Sequence, residues 1–458
     1  MRKITRWAAI LLAGMMTCTG SGFSTLTYAA DASEKKSELA TATEEKTNNT
    51  IKKVKELGLS KSAKEAAIYL LSADNNPGYS TQWSIISYGM AGYSAPSNYL
   101  SYFHNNILQK IKDKNGEFSS SMDYSKLILS TQSLSVMGGT GSTDGMFHGY
   151  NLLDGLRDVE EVAKEGISSE IWALLAITSL EANAQKADRE VAAGSSLIQE
   201  DSVTEESSQE ASIEDATDAT LVGYWHYREL ADHYAIRVIS QAMPDGSYNS
   251  DNTEAVDVSL TAQAVLGLTA YREIYGKDLS TSEVTEDALN TGIAASVNAL
   301  LSQADLALEF DDLDGNRNSE SLAWVILAMI ASNHRNFDFI KAYQALLAYQ
   351  NDNGSFCYLY SKQGSNKASN TATYVALMAM SLWRSNKRGK PLVFDFTQTK
   401  KDRISIRVPD ATSQVIEVAK KTTVTIQKMI PPIMIIMVAL VLLIFFSCLW
   451  LDHSEKKI

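Results

Sequence analysis

The stretch QNDNGSFCYLY at residues 350–360, followed after a polar loop by SNTATYVALMAMSL at residues 369–382, decides the fold. The pair Asn353-Gly354 is typical of a tight turn. Asn370 is a residue type preferred at a helix start. The helix that follows is apolar on all sides, which predicts a buried helix rather than a surface helix.

The same order of turn, aromatic residue and apolar helix recurs along the chain. The further copies are QAMPDGSY (241–248) before DVSLTAQAVLGLTAY (257–271), DDLDGNRN (311–318) before ESLAWVILAMIA (320–331), NGEF (115–118) before DYSKLILSTQSLSVM (123–137), and DGMF (144–147) before EIWALLAITSL (170–180). Recurrence at intervals of about fifty residues indicates a repeat architecture, in which no unit buries its apolar face alone.

Composition limits the partners. The chain has 458 residues, 45% of them hydrophobic, so it can bury a large core. Its net charge of -13 argues against a polyanion partner, because phosphate binding requires clustered Lys and Arg. We therefore expect no nucleic-acid partner.

The segments near the two ends of the chain predict the cellular localisation of the protein. Residues 1–30 have a basic start, an apolar run and small residues at the end, as in a cleavable secretory signal. Residues 431–452 contain an apolar run long enough to cross a bilayer as a helix. Residues 453–458 would form a short cytoplasmic tail with two lysines. This layout predicts a single-pass protein of the cell membrane whose bulk is extracellular.

The segments between these two ends divide by composition. Residues 31–50 form a polar spacer, and residues 51–390 form the helical body. Within the body, residues 186–220 are rich in carboxylates and poor in bulky apolar side chains, which predicts an acidic disordered insertion. Residues 391–430 alternate polar and apolar side chains, which predicts an extended stalk.

Several sequence segments, taken in this order, resemble those of a known protein family. They are QWSIISYGMAG (82–92), DYSKLILSTQSLSVMGG (123–139), GYNLLDGL (149–156), KEGISSEIWALLAI (164–177), QAMPDGSY (241–248), NSESLAWVILAMIA (318–331) and YQNDNGSF (349–356). The helical body resembles secreted Gram-positive proteins with prenyltransferase and squalene-cyclase type repeats, members of the terpenoid cyclase α/α-toroid superfamily. The resemblance implies an all-α fold, an α/α toroid of two concentric rings, with the Ala-rich helices inside.

Parallel inner helices would gather their N-termini at one rim, and the sequence places polar and aromatic residues there. The candidates for lining a ligand cavity are Asp123, Tyr124, Glu170, Trp172, Asp257, Glu320, Trp324, Asn370 and Tyr374. Carboxylates that face one cavity raise each other's pKa or hold a cation, and aromatic rings suit an apolar or cationic ligand. Alternatively, the acids only cap helices and the aromatic residues only fill the core.

This sequence lacks, at the matching positions, the residues that two reactions of the superfamily require. Triterpene cyclases protonate an alkene with an Asp in a D-x-D-D-T-A motif, and here Ser259 and Leu260 replace the second and third acids of the frame that starts at Asp257. Neither replacement is an acid. Protein prenyltransferases need a zinc set of Asp, Cys and His. Cys357 has no such companions, and the histidines of the body (His104, His148, His226, His233 and His334) are scattered. We therefore expect no catalytic residues.

One loop carries oxygen ligands at alternate positions. Asp312, Asp314, Asn316 and Asn318 suit Ca²⁺, a hard cation. Arg317 stands where an EF-hand requires Gly, so a polar Asp-Gly turn is the alternative. Apart from this calcium candidate, no cofactor is expected.

The residues leave three functions open. The leading interpretation is a membrane-anchored extracellular toroid that binds a small molecule or a surface protein, in or on the toroid, without catalysis. The alternatives are an isoprenoid-processing enzyme, similar to a terpene cyclase or a prenyltransferase, and a surface adhesion or scaffold module.

Overall fold

The computed structural model describes residues 57–200, 225–250, 255–279, 282–306, 308–360, 366–386, 394–396 and 403–408, with backbone alone at 192–200 and 384–386. The chain divides into two units, Met1–Gly58 and Leu59–Ile458, and everything below concerns the second. The predicted signal, spacer, membrane helix and cytoplasmic tail lie outside the described residues. Within those residues, no helix combines the length and apolar character needed to span a bilayer.

Helices dominate the described residues. In chain order they are α1 (Leu59–Ala73), α2 (Gln82–Ala91), α3 (Ser97–Asp113), α4 (Ser121–Val136), α5 (Val159–Lys164), α6 (Ile167–Glu200), α7 (Arg228–Ser240), α8 (Val258–Tyr275), α9 (Glu286–Gln303), α10 (Ser319–Ala331), α11 (Phe339–Leu347) and α12 (Asn370–Asn386). Short 3₁₀ turns lie at Tyr79–Thr81, Leu152–Leu156 and Gly276–Asp278.

The even-numbered helices close into a ring. Helix α2 packs on α4, α4 on α6, α6 on α8, α8 on α10, α10 on α12, and α12 returns to α2. Odd-numbered helices pack outside it: α1 on α12, α5 on α6, α7 on α6 and α8, α9 on α8, and α11 on α10. In α10, every residue except Glu320 is buried. An all-α toroid is therefore confirmed, with α2 as an inner helix beyond the five that the Ala-rich pattern indicated.

Contacts between residues at similar positions along neighbouring inner helices show that these helices run parallel. The hydroxyl oxygens of Ser259 and Ser321, the second residue of α8 and the third of α10, are 3.2 Å apart. The Ser179 hydroxyl, at the thirteenth residue of α6, lies 3.1 Å from the Gln132 side-chain oxygen, at the twelfth residue of α4. The N-termini of these helices therefore meet at one rim, as the sequence predicted.

Short strands of two residues each pair with one another and hold the connecting loops in place. They are β1 (Tyr93–Ser94), β2 (Met146–Phe147), β3 (Tyr150–Asn151), β4 (Phe356–Cys357), β5 (Ala368–Ser369) and β6 (Ile404–Ser405). Strands β2 and β3 form an antiparallel hairpin, as do β4 and β5. Strand β6 lies parallel to β1, with Ile404 opposite Tyr93.

The described part of the predicted stalk is not a stalk. Phe394, Phe396 and Ile406 are each 1% exposed. Arg403 donates hydrogen bonds to the carbonyl oxygens of Tyr93 and Gly89, at 3.0 and 2.9 Å. This segment returns to the toroid because its apolar side chains fill the space between inner helices, a long-range contact that local alternation does not reveal. Of the predicted acidic insertion at 186–220, residues 186–200 form the end of α6, and residues 201–220 lie outside the described residues.

Glu165 joins the starts of two inner helices. Its carboxylate accepts hydrogen bonds from the backbone N–H of Ser121 at 2.8 and 3.0 Å, and from the Ser120 hydroxyl at 2.9 Å. The Ser169 hydroxyl at the start of α6 donates to it at 3.3 Å. Burial would raise the pKa of Glu165, but these hydrogen bonds outweigh it and hold the pKa below its usual value.

We expect Glu165→Gln to lower the free energy of unfolding at neutral pH by roughly 1 kcal/mol, since the lost bonds are charge-assisted but the residue is exposed. Because the pKa of Glu165 is lower in the folded state than in the unfolded state, its ionised carboxylate stabilises the fold at pH values above the ordinary Glu pKa. This stabilisation is lost as the pH falls through the folded-state pKa. Urea unfolding across this acid range tests both statements. Glu161→Gln, which removes an exposed partner of Lys164, is the matched control and should change the midpoint less. Equal effects of the two changes would contradict the assignment.

Candidate functional site

Aromatic rings from four inner helices meet at the rim where the helices begin. Trp83 of α2 lies 4.5 Å from Trp172 of α6 between ring centres, and it stacks on Tyr374 of α12 at 5.7 Å. Trp172 also meets Trp324 of α10 edge-on at 5.9 Å. Trp172 and Trp324 are each 3% exposed, whereas Trp83 and Tyr374 are partly exposed. These four residues, the rim aromatic cluster, form a surface that opens to solvent at one side.

The chain closes the ring beneath this cluster with its own C-terminal segment. The ring of Phe394 lies 5.5 Å from that of Trp172. The Ser179 hydroxyl donates a hydrogen bond to the Phe394 carbonyl at 2.9 Å. Because Ser179 lies about two turns further along α6 than Trp172 does, residues 394–396 sit below the rim aromatic cluster. Phe394 is therefore the floor of the site.

Glu320 is the carboxyl group that faces this surface. Burial raises its pKa, the indole of Trp324 lowers it, and the nearby charge of Asp257 raises it, with a net upward shift. The charge of Glu320 in turn contributes to the raised pKa of Tyr374, about 12, for which burial is the main cause. Glu320 is thus a carboxyl group that keeps its proton to higher pH than an ordinary Glu does.

A second carboxylate and several hydrogen-bonding groups surround Glu320. Asp257 caps α8 and accepts a hydrogen bond from the Leu260 N–H at 2.9 Å. The positive end of a helix dipole stabilises negative charge at this place. The side-chain oxygen of Gln263 accepts a bond from the Trp172 indole at 3.1 Å, which leaves its amide N–H groups for other partners. Two carboxyl groups in unlike environments provide an acid and a base.

The structure separates Glu170 from this site. Glu170 is fully buried and faces the outer helix α7, where Arg237 and Gln241 donate hydrogen bonds to its carboxylate. Arg237 also pairs with Glu160 at 3.0 Å. A buried carboxylate with two such donors joins an inner helix to an outer helix. Its role is structural, in contrast to the predicted place in a cavity.

The remaining sequence candidates lie around the rim without a described contact to the cluster. The Tyr124 hydroxyl donates to the Gly116 carbonyl at 3.0 Å and accepts from the Phe118 N–H at 2.9 Å, so it secures a loop. Asp123 pairs with Lys126 at 3.4 Å. Asn370 is exposed as the first residue of α12.

Two of the four side chains of the calcium candidate, Asp312 and Asn318, already accept hydrogen bonds. Asp312 accepts bonds from the N–H groups of Asp314 and Asn316 at 3.0 and 2.8 Å, and from the Tyr358 hydroxyl at 2.7 Å. The Asn318 side chain caps α10 through the Ser321 N–H at 2.8 Å. Three or more His, Cys, Asp or Glu side chains grouped as for a metal do not occur among the described residues. Calcium binding here stays a prediction.

Sequence reasoning missed two members of the site, Trp83 and Phe394. The segment Pro77-Gly78-Tyr79 directly before α2 matches the Gly-containing turn and aromatic residue of the other copies. It is the signal that could have found α2 and Trp83. Phe394 lies in the segment predicted as a stalk.

Comparisons with known proteins concern the fold. No protein-family model and no curated protein matches this sequence. The unsaturated glucuronyl hydrolase of Bacillus sp. GL1, responsible for the degradation of glycosaminoglycan, is 10% identical over 74% of this chain and 98% of that chain, with a TM-score of 0.45. A polysaccharide lyase is 12% identical over 71% of this chain and 98% of that chain, with a TM-score of 0.40. At these values the likeness extends to the fold alone.

These findings correct the functions expected from the sequence. Both proteins are carbohydrate-processing enzymes by name, and neither is a non-catalytic carrier, an isoprenoid enzyme or an adhesion module. The expectation of binding without catalysis, with isoprenoid processing and adhesion as alternatives, disagrees with these names and is not carried further. The resemblance to surface proteins with prenyltransferase-type repeats is retained only for the fold. The chain is a mostly helical α/α toroid.

Proposed function

We propose that this chain is an acid–base enzyme that acts on a carbohydrate at the rim aromatic cluster. The observation that carries the proposal is the position of Glu320, a half-buried carboxyl group at the start of α10 that lies beside Asp257 and Trp324 at the rim aromatic cluster and whose pKa burial raises. A carboxyl group that is protonated near the working pH can donate a proton in the transition state. Cleavage of glycosidic bonds uses such a carboxyl group together with a second carboxylate.

The other residues of the rim suit a sugar. The C–H faces of sugar rings pack on flat aromatic rings, and the partly exposed Trp83 and Tyr374 offer such rings. The amide N–H groups of Gln263 and the hydroxyl group of the partly exposed Ser259 supply hydrogen bonds for sugar hydroxyl groups. The hydrocarbon tail of an isoprenoid has no groups that would use these donors.

The proposed reaction balances as a hydrolysis. Glu320 gives its proton to the glycosidic oxygen while the bond from that oxygen to the anomeric carbon breaks. Water adds to the anomeric carbon and gives a proton to the Asp257 carboxylate. Transfer of that proton through solvent to Glu320 restores both groups.

A turnover screen of the full-length chain tests this proposal. The panel consists of neutral oligosaccharides, uronate-containing oligosaccharides and glycosaminoglycan fragments, and reducing ends and unsaturated uronate absorbance are followed over time. We expect cleavage of at least one class by wild-type protein. If no saccharide of the panel is cleaved, the proposal is contradicted.

We also propose that residues 1–30 direct secretion and that residues 431–452 anchor the chain in the membrane, as in a Gram-positive surface protein. Truncation after Asp410 keeps the described segment that ends at Val408 and removes the proposed anchor. We expect the full chain in the membrane fraction and the truncated chain in the culture medium. Recovery of the two chains in the same fraction would contradict the anchor.

A further inference from the structure

Two histidines that are far apart in sequence meet at the surface of the toroid. The Nε2 atoms of His104, on α3, and His148, between β2 and β3, are 3.2 Å apart. Their rings are 4.9 Å apart between centres and inclined by 65°. A cavity of about 330 Å³ adjoins His104, lined also by Ser97, Leu100, Ser101, Asn105, Gly138, Gly139 and Thr140. The expectation of scattered histidines is wrong for this pair.

A backbone hydrogen bond selects the tautomer of His104. Its Nδ1 lies 2.7 Å from the Thr140 carbonyl oxygen. A carbonyl oxygen only accepts, so Nδ1 carries the proton, and in the neutral ring the Nε2 lone pair faces His148. A histidine that binds a metal through one nitrogen usually donates its other N–H to a carbonyl or a carboxylate in this way. His104 is therefore oriented as a ligand before any metal is present.

The backbone of His148 is unusual for its residue type. Its φ is +51°, and that of the following Gly149 is +85°. Two-residue hairpin turns with positive φ at both positions favour Asn-Gly, so a histidine here costs energy that Asn would avoid. A conformation of this kind at a non-glycine residue is a signal of function when it directs the side chain at a partner.

We propose that His104 and His148 bind a divalent transition metal, of the class of Zn²⁺, Ni²⁺ or Cu²⁺, through their two Nε2 atoms. Imidazole is a favoured ligand of these ions. Metal–nitrogen bonds of about 2.0–2.1 Å at a tetrahedral angle separate the two nitrogens by about 3.3 Å, close to the observed spacing.

The surroundings leave the metal partly open. No third His, Cys, Asp or Glu is grouped with the pair in the part of the chain that the structure describes, so solvent or a ligand in the cavity would complete the coordination.

Titration of the metal-free full-length chain with Zn²⁺, Ni²⁺ and Cu²⁺ tests the proposal. We expect one ion per chain by calorimetry, with Cu²⁺ bound most tightly. Binding should also change the NMR signals of the His104 and His148 rings and raise the unfolding temperature. These readouts do not depend on the carbohydrate activity, so failure of one proposal leaves the other testable.

The variants His148→Asn and His104→Gln should each weaken metal binding by about tenfold or more, by analogy with losses measured at metal-site partners. Asn tolerates positive φ, so His148→Asn keeps the turn and should fold as wild type does. His233→Ala, at an exposed histidine of α7, is the matched control and should bind as wild type does. Equal binding by wild type and His148→Asn, or no binding by wild type, would overturn the proposal.

Discussion

Replacement of Glu320 by Gln is expected to lower kcat on the cleaved saccharide by roughly 10²–10⁴-fold, because a positioned general acid contributes about that factor. Gln keeps the size of the side chain and its hydrogen-bonding capacity, but it cannot transfer a proton. KM should change little, since the rim aromatic cluster that packs on the sugar stays intact. Steady-state kinetics of the purified variant measure both constants.

The matched control is Glu286→Gln, at the first residue of the outer helix α9. This exposed carboxylate also begins a helix, but it lies on the outer ring. We expect wild-type kinetics from it. A Glu320→Gln enzyme with full kcat would remove Glu320 from the proposed chemistry.

The raised pKa of Glu320 predicts a pH dependence with a definite sign. The proton donor is active while it is protonated, so the rate should fall as pH rises through a pKa above the ordinary Glu value. Between the ordinary and the raised pKa, the native state binds more protons than the unfolded state does, so stability also falls as pH rises through this window. Glu320→Gln should remove this part of the stability profile, which urea unfolding measures without any substrate.

Substitution of Gly89 by Ala is expected to destabilise the toroid by about 3 kcal/mol, the upper end for overpacking of a core. A Cβ at this position would lie 2.0 Å from the Ser133 hydroxyl oxygen on α4 and 2.9 Å from the Phe396 ring. The Ser133 hydroxyl is itself bonded to the Ile85 carbonyl at 2.5 Å, so it cannot rotate away without losing that bond. Thermal or urea unfolding measures the loss.

Gly267→Ala is the control, because Gly267 also lies inside an inner helix but its Cβ would meet its neighbours at 3.5 Å or more. Ala has the higher helix propensity, so this change should be neutral or stabilising, by up to about 1 kcal/mol. Phe396→Ala should cost less stability in the Gly89→Ala background than in wild type, since the two changes share a contact. If the two glycine variants are equally stable, residues 394–396 do not pack where the structure places them.

Much of the toroid could be predicted from the sequence because its inner helices are apolar all round and recur after similar turns. The cap of α8 was equally visible, since Asp257 precedes an apolar run and caps the helix in the structure. Asn370, in contrast, is the first residue of α12, and the Ser369 hydroxyl before it accepts a hydrogen bond from the Ala372 N–H at 3.2 Å.

The sixth inner helix, α2, was not among the predicted copies, although Pro77-Gly78-Tyr79 precedes it. What the sequence could not show was the role of Gly89, which arises from Ser133 and Phe396, far away in the sequence.

The candidate site was only partly predictable because the direction of a side chain depends on helix rotation. Glu170 and Glu320 both lie in the first turn of an inner helix, at its fourth and second residue. Two residues rotate a helix by about 200°, so one carboxylate meets the outer ring and the other meets the rim aromatic cluster. The sequence showed both acids near the rim without showing which of them faces inward.

The proposed metal-binding pair of His104 and His148 was not predictable from the sequence either. His104 and His148 are separated by 44 residues, and neither belongs to a short motif. Their approach depends on a hairpin turn with positive φ and on a bond to the Thr140 carbonyl. Neither feature has a sequence signature of its own.

The most direct test of the account follows the anomeric protons by NMR while wild-type protein and Glu320→Gln are incubated with the same uronate-containing oligosaccharides. The account predicts new reducing-end signals with the wild-type chain and at least about a hundredfold slower appearance with the variant. Unchanged saccharide signals with the wild-type chain, or equal rates for the two proteins, would contradict an acid–base carbohydrate enzyme centred on Glu320.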